Sequence, residues 1–266
     1  MLKVLNISKT FNQDLNPEDI KIALKDVTLE IKKGDFITVI GGNGSGKSTL
    51  LNVIAGSVSP DCGNIIIDDE DVTKLKEYQR AKYIGIVFQD PLSGTAANMS
   101  LEENLMLAYR RAKRKGLRWG FNKDLRKNFK ERLSSLGLGL EERLTHKIGT
   151  FSGGQRQAVT LLMAILDQPK VLLLDEHTAA LDPKTAQIVL NITEDIVTNT
   201  NLTTIMVTHN MRSALKYGNR ILMLNNGQVI LDIAGEDKKD LTIENLLQRF
   251  SSSDETELTD KMILSN

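Results

Sequence analysis

Apolar residues recur along the chain with two different spacings. They alternate with polar residues in LKVLNI (2–7) and ALKDVTLEI (23–31), which predicts two half-buried strands that pair antiparallel. The polar stretch from Asn12 to Lys21 between them predicts a loop. Short apolar runs predict further, more deeply buried strands at 36–41, 64–68, 83–89, 171–175 and 203–207. The segment 221–233 predicts a β-hairpin that turns at Asn226-Gly227.

Helical spacing follows several of these strands. Ser100 and Glu103 have the spacing of a capping box, and Asp182-Pro183 is a typical helix start. The predicted helical segments are 47–56, about 100–150 with breaks near 116–120 and 137–139, 153–168, 183–198 and 242–250. Apolar strands that alternate with helices predict an α/β fold. We expect a mostly parallel core sheet, an N-terminal antiparallel β subdomain and an inserted α-helical subdomain at about 90–160.

Composition narrows the class of protein. The chain has 266 residues, and its 34 Lys and Arg balance 34 Asp and Glu, so net charge gives no general case for nucleic-acid binding. The single cysteine, Cys62, excludes an internal disulfide. The N-terminus does not resemble a signal peptide, and no apolar run approaches the ~20 residues of a membrane helix. We expect a soluble, cytosolic chain, so any membrane part of its function must come from another chain.

The glycine-rich stretch GGNGSGKST (41–49) lies between a predicted strand and a predicted helix. It fits the P-loop pattern, in which backbone N–H groups and the helix N-terminus bind phosphate. Lys47 is expected to reach the β- and γ-phosphates, and the Ser48 hydroxyl to bind Mg²⁺. The β- and γ-phosphates of a nucleotide and Mg²⁺ are therefore the predicted ligands of this loop. The residues of the loop are Gly41, Gly42, Asn43, Gly44, Ser45, Gly46, Lys47, Ser48 and Thr49.

Two adjacent acids end the apolar strand VLLLDE. A P-loop needs a carboxylate at the end of a neighbouring strand to hold Mg²⁺, and Asp175 is the candidate. Glu176 then remains free as the general base for the attacking water. The alternative is that Glu176 is an exposed acid at a strand end.

A second anion-binding stretch is FSGGQ (151–155), which opens the predicted helix at 153–168. The N–H groups of Gly153, Gly154 and Gln155 and the Ser152 hydroxyl are expected to face an anion. Taken alone, Ser-Gly-Gly could be a turn with a helix cap.

These motifs, in this order, resemble the ATPase subunit of ATP-binding cassette (ABC) transporters, a family of P-loop NTPases. The resemblance covers roughly residues 1–250 and adds four positions: Phe11 in SKTF, Gln89 in VFQDP, Asp182 in AALDP and His209 in VTHN. It implies that Phe11 stacks on adenine, that Gln89 senses Mg²⁺ and the attacking water, and that His209 contacts the γ-phosphate. Phe11 and His209 could otherwise be a core aromatic and a strand-end histidine.

The resemblance also implies partners. Two copies of the chain would sandwich two ATP molecules head to tail, with Ser152, Gly153 and Gly154 acting on the other copy's ATP and Asp182 crossing the interface. Permease subunits would dock on the segment after Gln89, at the cytoplasmic face of the cell membrane. The motif contexts resemble bacterial importers with a separate binding protein, some of them linked to amino acids. The alternatives are a soluble, permease-free ATPase of the iron–sulfur assembly type, and a nucleic-acid or ribosome ABC protein.

Three features remain outside this scheme. His177 follows Glu176, and we expect it to shape or pack beside the following turn without doing chemistry. Residues 110–132 hold eleven Lys and Arg against two acids, which fits docking near an anionic membrane, a plain solvated surface or a nucleic-acid patch. The polar tail 251–266 is expected to lie outside the ATPase domain.

Overall fold

The computed structural model describes residues 1–12, 20–111 and 123–251, without the side chains of 249–251. Its contacts divide the chain into two compact units, residues 1–80 with 200–266 and residues 81–199. The elements in chain order are β1 (Leu2–Phe11), β2 (Lys21–Ile31), β3 (Phe36–Ile40), α1 (Lys47–Ala55), β4 (Cys62–Ile67), β5 (Glu70–Asp71), α2 (Glu77–Arg80), β6 (Ile84–Val87), α3 (Leu101–Tyr109), α4 (Lys123–Ser134), α5 (Gly153–Ile165), β7 (Val171–Asp175), α6 (Pro183–Thr200), β8 (Thr203–Val207), α7 (Met211–Lys216), β9 (Arg220–Asn225), β10 (Gln228–Ala234), α8 (Glu236–Lys239) and α9 (Ile243–Ser251).

The first unit opens with an antiparallel sheet in the order β2-β1-β4-β5. Its central strand β1 pairs with β2 and with β4, and Leu2 lies opposite both Ile31 and Ile67. The alternation read from the sequence is visible at the start of β1, where Leu2 and Val4 are fully buried. A register shift between Val4 and Ile7 then interrupts the period of two, and Ile7 is also fully buried. The antiparallel pairing of the two N-terminal strands is therefore confirmed, and β1 continues past the predicted end at residue 7 to Phe11.

A second sheet in this unit has the order β10-β9-β3-β8. Strand β3 runs parallel to both β8 and β9, and β10 returns antiparallel to β9. Every residue of β3 and β8 is buried, which explains why these strands are continuous apolar runs rather than alternating ones. The hairpin turn is confirmed at Asn226 and Gly227, whose φ angles of 45° and 76° are those of a type I′ turn.

The second unit contains the parallel pair β6 and β7, with Ile84 opposite Val171 and Val87 opposite Leu174. Helices α3 to α6 and the 3-10 helices Leu140–Glu142 and Ile148–Thr150 complete it. Their apolar side chains form one core cluster that includes Leu101, Phe129 and Phe151. The capping box at Ser100 is confirmed, because Glu103 N–H donates to Ser100 Oγ and Ser100 N–H donates to Glu103 Oε2.

These elements confirm the predicted α/β class. The sequence did not reveal the short elements β5, α2, α7 and α8, and it placed the end of α5 three residues late, at 168 instead of Ile165. Residues 112–122 of the basic segment and residues 252–266 of the tail lie outside the described residues. In the part of the chain that the structure describes, no helix is long and apolar enough to cross a membrane.

Candidate active site

The stretch 41–49 connects β3 to α1, the strand–turn–helix context that a phosphate-binding loop requires. Gly41 and Gly46 have φ angles of 153° and 103°, where a side chain is strained. A Cβ on Gly41 would lie 2.2 Å from the Leu224 carbonyl oxygen, and one on Gly46 would lie 2.4 Å from the Ala23 carbonyl oxygen. Both glycines are therefore fixed by backbone shape and by close approach of the neighbouring chain.

The Lys47 amino group and the Ser45 hydroxyl are positioned in the loop as potential donors to an anion. Lys47 is buried, and its Nζ donates to the carbonyl oxygens of Gly41 and Gly42, both at 2.9 Å. The Ser45 hydroxyl is also buried and has no hydrogen-bond partner among the described residues. A buried polar atom without a partner is costly, and a phosphate oxygen in the loop would satisfy it. This observation supports the fit of the loop to a nucleotide phosphate.

His209 follows β8, the strand that pairs in parallel with β3. Because Val39 lies opposite Val207, the loop after β3 and the residues after β8 emerge at the same edge of the sheet. The Thr208 N–H donates to the Val39 carbonyl oxygen at 3.1 Å and extends this pairing beyond the strand. Within the first unit, His209 is therefore placed at the edge that carries the phosphate-binding loop.

Phe11 is the last residue of β1 and is partly buried. The Lys9 Nζ lies 5.5 Å from the centre of its ring. Its partner across the sheet is Lys21, whose Nζ would be 3.9 Å from a Cβ placed on Gly44. This brings the ring to the neighbourhood of the phosphate-binding loop. It also identifies Lys21 as a cation beside the loop that the motifs did not indicate.

In the second unit, β7 carries the two acids. Its first four residues are buried, whereas Asp175 and Glu176 are partly exposed. Glu176 has a φ angle of 44°, a left-handed conformation that is uncommon for a residue with a side chain. The Ala179 N–H donates to the Glu176 carbonyl oxygen at 2.9 Å and closes the turn. This reversal turns the Glu176 side chain away from the direction of the strand.

Gln89 comes two residues after β6, the parallel neighbour of β7. Gln89 and Asp175 therefore emerge at the same edge of this strand pair. The backbone before Gln89 is anchored by Gln157, whose Nε2 donates to the Phe88 carbonyl oxygen at 3.1 Å. Gln157 is fully buried and has no place in the predicted motifs, so its role becomes visible only from the contact.

The signature stretch opens α5 with a capping box. The Ser152 Oγ accepts from the Gln155 N–H, and the Gln155 Oε1 accepts from the Ser152 N–H, both at 3.2 Å. The hydroxyl proton of Ser152 is not used in this pair, and Ser152 is exposed. A Cβ on Gly154 would lie 2.1 Å from Thr185 Cγ2, so close packing on α6 requires this glycine. The capping alternative and the anion-site prediction are thus compatible.

Phe151 is the first residue of the stretch FSGGQ, and its aromatic ring contacts both the core and a cation. Phe151 is buried in the core of the second unit, and the Arg143 guanidinium lies 4.1 Å from the centre of its ring. Arg143 Nη1 also donates to Gln155 Oε1 at 3.4 Å. Arg143, which no motif indicated, therefore joins the core to the signature stretch.

Asp182 caps the start of α6, since its Oδ1 accepts from the Thr185 N–H at 3.0 Å. Hydrogen bonds from the Thr185 side chain and backbone lower the pKa of its carboxyl group. The side chain is exposed and carries a negative charge at neutral pH. This confirms the predicted helix start and leaves the carboxylate accessible.

His177 is buried, in contrast to its neighbours Asp175 and Glu176. Its Nε2 lies 3.2 Å from the Thr193 hydroxyl, which donates to the Val189 carbonyl oxygen. Burial lowers the pKa of His177 to about 4, so the ring is neutral at physiological pH. The expected packing role is supported, because the ring contacts α6.

The predicted Mg²⁺ ligands are a carboxylate, an amide and a hydroxyl, from Asp175, Gln89 and Ser48. Hard oxygen ligands of this kind suit Mg²⁺, which commonly takes one or two carboxylates and completes its shell with waters and substrate phosphates. Among the described residues, no group of three or more His, Cys, Asp or Glu side chains could hold a metal ion by itself.

The structure places the predicted residues in two groups. In the first unit, His209 lies at the sheet edge that carries the loop 41–49, and Phe11 lies opposite Lys21, whose Nζ is close to Gly44. In the second unit, Gln89 and Asp175 lie at the same edge of the pair β6 and β7. The second unit also holds residues 152–155 at the start of α5, near the start of α6 that Asp182 caps. Lys21, Arg143 and Gln157 were missed, because none of them belongs to a motif and their proximity to the site follows only from the three-dimensional structure.

Comparison with known proteins identifies the class. The family model described as ABC transporter matches residues 24–179. This match covers more than half of the chain, so the chain belongs to the ABC transporter family. It is an ATPase of that family, with the P-loop NTPase fold of an ABC cassette.

Particular relatives are similar over most of their length. The tyrosine transport ATP-binding protein of Clostridioides difficile is 44% identical over 255 residues, which cover 94% of this chain and 98% of the relative. The methionine import ATP-binding protein MetN of Streptococcus agalactiae is 33% identical and covers 91% of this chain and 68% of the relative. The energy-coupling factor transporter ATP-binding protein EcfA2 of Clostridium tetani is 36% identical, with coverages of 87% and 78%.

Solved structures of ATP-binding cassettes have the same fold as this chain. The ATP-binding cassette MJ0796, seen as a dimer in a post-hydrolysis state bound to ADP and Pi, has a TM-score of 0.74 and 32% identity. The match covers 88% of this chain and 98% of that one. The ADP conformation of the cassette MJ1267 has a TM-score of 0.77 and 26% identity, with coverages of 100% and 99%.

Proposed function

We propose that this chain is the ATP-hydrolysing subunit of a bacterial importer for a small solute, with an amino acid as the first candidate. The observation that carries the proposal is the 44% identity to a tyrosine transport ATP-binding protein over nearly the whole of both chains. Relatives named for methionine import support an amino acid. Others are named for spermidine and putrescine or for phosphonates, so the family resemblance alone leaves the cargo open.

ATP binds with its phosphates in the loop 41–49, and Lys47 exchanges its carbonyl partners for phosphate oxygens. Ser48, Gln89 and Asp175 are the residues that would hold Mg²⁺, which supplies positive charge to the phosphates. Glu176 accepts the proton of the attacking water. His209, at the sheet edge beside the loop, contacts the γ-phosphate. In this proposal, Asp175 binds the cation and Glu176 activates the attacking water.

A second copy of the chain completes each site. Ser152, Gly153 and Gly154 donate to the γ-phosphate held by the other copy, and Asp182 contacts that copy across the interface. Phe11 stacks on the adenine. The ATPase domain spans residues 1–250 with the helical subdomain at about 90–160. The cassette MJ0796, which is dimeric and bound to ADP and Pi in its solved structure, supports the pairing of two copies.

The membrane part belongs to other chains. Permease subunits dock on the segment after Gln89 and hold this chain at the cytoplasmic face of the membrane, and a substrate-binding protein delivers the cargo to them from outside. Nucleic acid is not a partner in this scheme.

The test is reconstitution. The chain is purified with the permease and binding protein encoded beside it and placed in proteoliposomes with Mg-ATP. We expect ATP turnover to rise several-fold when tyrosine-loaded binding protein is added, and methionine and spermidine serve as matched ligands. A complex built with Glu176→Gln is the control, because its signal must disappear if this chain hydrolyses the ATP.

Two results contradict the proposal. If no permease raises the ATP turnover and the chain instead forms a stable complex with soluble proteins, the permease-free ATPase is favoured. Turnover that DNA or RNA raises at physiological salt favours a nucleic-acid ABC protein.

A further inference from the structure

Helix α7 connects the candidate site to the C-terminal part of the chain. It has six residues, Met211–Lys216, and begins directly after His209 and Asn210. An isolated helix of this length is not stable in water. Contacts from outside the helix must therefore keep α7 folded, and with it the backbone that follows His209.

Three contacts hold the start and the middle of α7. The Asn210 Oδ1 accepts from the Ser213 N–H at 2.9 Å, so Asn210 caps the first turn. The Thr38 hydroxyl of β3 donates to the Ala214 carbonyl oxygen at 3.0 Å. Met211 shares an apolar cluster with Leu246 of α9. These contacts fix the helix start and one side.

The end of α7 is held by Lys238 of α8. Lys238 is 5% exposed, and its Nζ donates to the carbonyl oxygens of Tyr217 and Gly218, the latter at 2.9 Å. Tyr217 is the C-cap residue of α7. Carbonyl groups at a helix end lack partners within the helix and carry partial negative charge, so an ammonium group is well suited to this position.

This lysine is unusual, because its amino group is buried and contacts no carboxylate of the described residues. In the described part of the chain, both polar contacts of its Nζ are with carbonyl oxygens and neither is with a carboxylate. Burial lowers the pKa of Lys238 to about 8, which reflects the cost of holding the charge there. The neighbouring Lys239 is 71% exposed and pairs with Glu236. The two adjacent lysines thus have different environments.

We propose that Lys238 is a positioning residue for His209, on which it acts through α7. Asn210 fixes the first turn of the helix and Lys238 fixes the last, so the segment from His209 to Gly218 is held at both ends. The role rests on the proposed contact between His209 and the γ-phosphate. Lys238, which follows the last strand β10, thereby determines the fraction of molecules in which His209 is correctly positioned.

The experiment uses the full chain with Mg-ATP. Lys238→Met removes the donor at nearly constant length, Lys238→Arg keeps a cationic donor, and Lys239→Met is the matched control on the exposed neighbour. Turnover at saturating ATP, the KM for ATP, and the amide hydrogen exchange of residues 211–218 are measured for each. His209→Ala and the double variant His209→Ala/Lys238→Met are measured beside them.

We expect Lys238→Met to lower kcat at least fivefold, to leave the KM for ATP within twofold, and to speed the exchange of residues 211–218. Lys238→Arg should recover at least half of the lost kcat, and Lys239→Met should match the parent chain. Because Lys238 acts through His209, the double variant should be no slower than His209→Ala alone.

Each contrary result overturns the proposal in a different way. Full turnover in His209→Ala removes the contact on which the proposal rests. Low turnover in His209→Ala with full turnover in Lys238→Met leaves that contact standing and removes only the role of Lys238. A double variant slower than His209→Ala shows a path that avoids His209. If Lys238→Met and a second neutral variant, Lys238→Gln, both fail to fold, Lys238 is a general stability residue and the proposal is overturned.

Discussion

Among single residues, Glu176 shows how the backbone changes direction at a candidate catalytic position. Its φ of 44° lies in a region where a residue with a Cβ costs energy, of order 1–3 kcal/mol. The adjacent β7 is buried and regular, so the strain is confined to the point where the strand must turn. A regular continuation of β7 would have directed Glu176 and Asp175 to opposite faces of the strand. The left-handed φ of Glu176 ends this alternation directly after Asp175.

Replacing Glu176 by Gln keeps the shape and the turn and removes the basicity. Since a positioned base typically contributes 10²–10⁴-fold, we expect turnover to fall by about that factor while ATP binding is retained. An ATP-bound dimer should accumulate, because the trapped nucleotide is not hydrolysed. Turnover and size-exclusion chromatography with Mg-ATP check both points.

Glu131→Gln is the control for this change, because Glu131 is 63% exposed on α4. It should behave like the parent chain. Turnover of Glu176→Gln within threefold of the parent chain would mean that another group takes the proton.

His177 lies next to Glu176 but is expected to act on stability rather than chemistry. Its pKa is about 4 in the folded chain, below the ordinary value near 6.5, so the unfolded chain binds the proton first as pH falls. Folding stability should therefore drop between pH 6.5 and 4, by up to about 3 kcal/mol from this residue, and remain at its higher level above pH 6.5. Thermal unfolding of the parent chain and of His177→Gln at pH 7 and pH 5 measures the difference. The variant should lose this part of the pH dependence.

Turnover separates the two histidines. His177→Ala should keep at least about a tenth of the parent turnover at saturating Mg-ATP, a barrier change under roughly 1.4 kcal/mol. His209→Ala should lose much more. Equal losses in the two variants would place His177 in the active site.

At the scale of elements, the features with a local cause in the sequence were predictable, and the short helices were not. The strand β7, the hairpin turn at Asn226 and the glycine-rich loop have local causes: a continuous apolar run, left-handed turn residues and a phosphate-binding pattern. Helices α2 and α7 have four and six residues, too few for a helical period to be recognised. Their stability comes from distant contacts, which no local pattern records.

The same reason explains the missed positions in the candidate site. The motifs indicated residues that recur at fixed spacing, such as Lys47 and Glu176. Gln157, Arg143 and Lys21 belong to no motif. Gln157 donates to the Phe88 carbonyl oxygen, 69 residues away, and Arg143 lies over the Phe151 ring, contacts that no local pattern records. Buried cations such as Lys238 and Arg80 are also difficult to predict from sequence, since lysine and arginine side chains are mostly exposed.

Arg80 of α2 illustrates such a buried cation. It is 1% exposed, and its guanidinium donates to the carbonyl oxygens of Val53 and Ile54 at 2.6 and 2.8 Å, in the last turn of α1. Two more donors reach the Leu75 and Thr73 carbonyl oxygens. Arg80 thus closes the C-terminal end of the helix whose N-terminus forms the phosphate-binding loop.

We expect Arg80→Met to destabilise the chain by about 3 kcal/mol or more, because several buried carbonyl groups lose their donors together. Lys76→Met, on an exposed neighbour, should leave stability unchanged within about 0.5 kcal/mol. Melting temperatures by circular dichroism test both. An Arg80→Met chain as stable as the parent would show that other donors replace the guanidinium.

At the scale of the whole molecule, the decisive question is which copy supplies the signature stretch to each ATP. In one chain, Ser152 caps α5 and keeps a free hydroxyl proton, and Lys47 is buried in the phosphate-binding loop. If both groups act on the same ATP from different copies, a mutation of Ser152 in one subunit and a mutation of Lys47 in the other should affect the same ATP site, and the second ATP site should remain intact. A dimer of one Ser152→Arg subunit and one Lys47→Ala subunit has one site in which both groups are intact and one in which both are altered.

Mixing the two variants should therefore restore turnover well above that of either variant alone, since each mixed dimer retains one intact composite site. Differently tagged subunits, purified through both tags, supply the mixed dimers, and their turnover is compared with that of the two parent homodimers. If Ser152 and Lys47 served the same ATP from one chain, each subunit would carry a defective site and mixing would restore nothing. Mixed dimers that form but stay as slow as both homodimers would thus exclude the head-to-tail arrangement, whereas recovery requires that the signature stretch of one copy completes the phosphate-binding loop of the other.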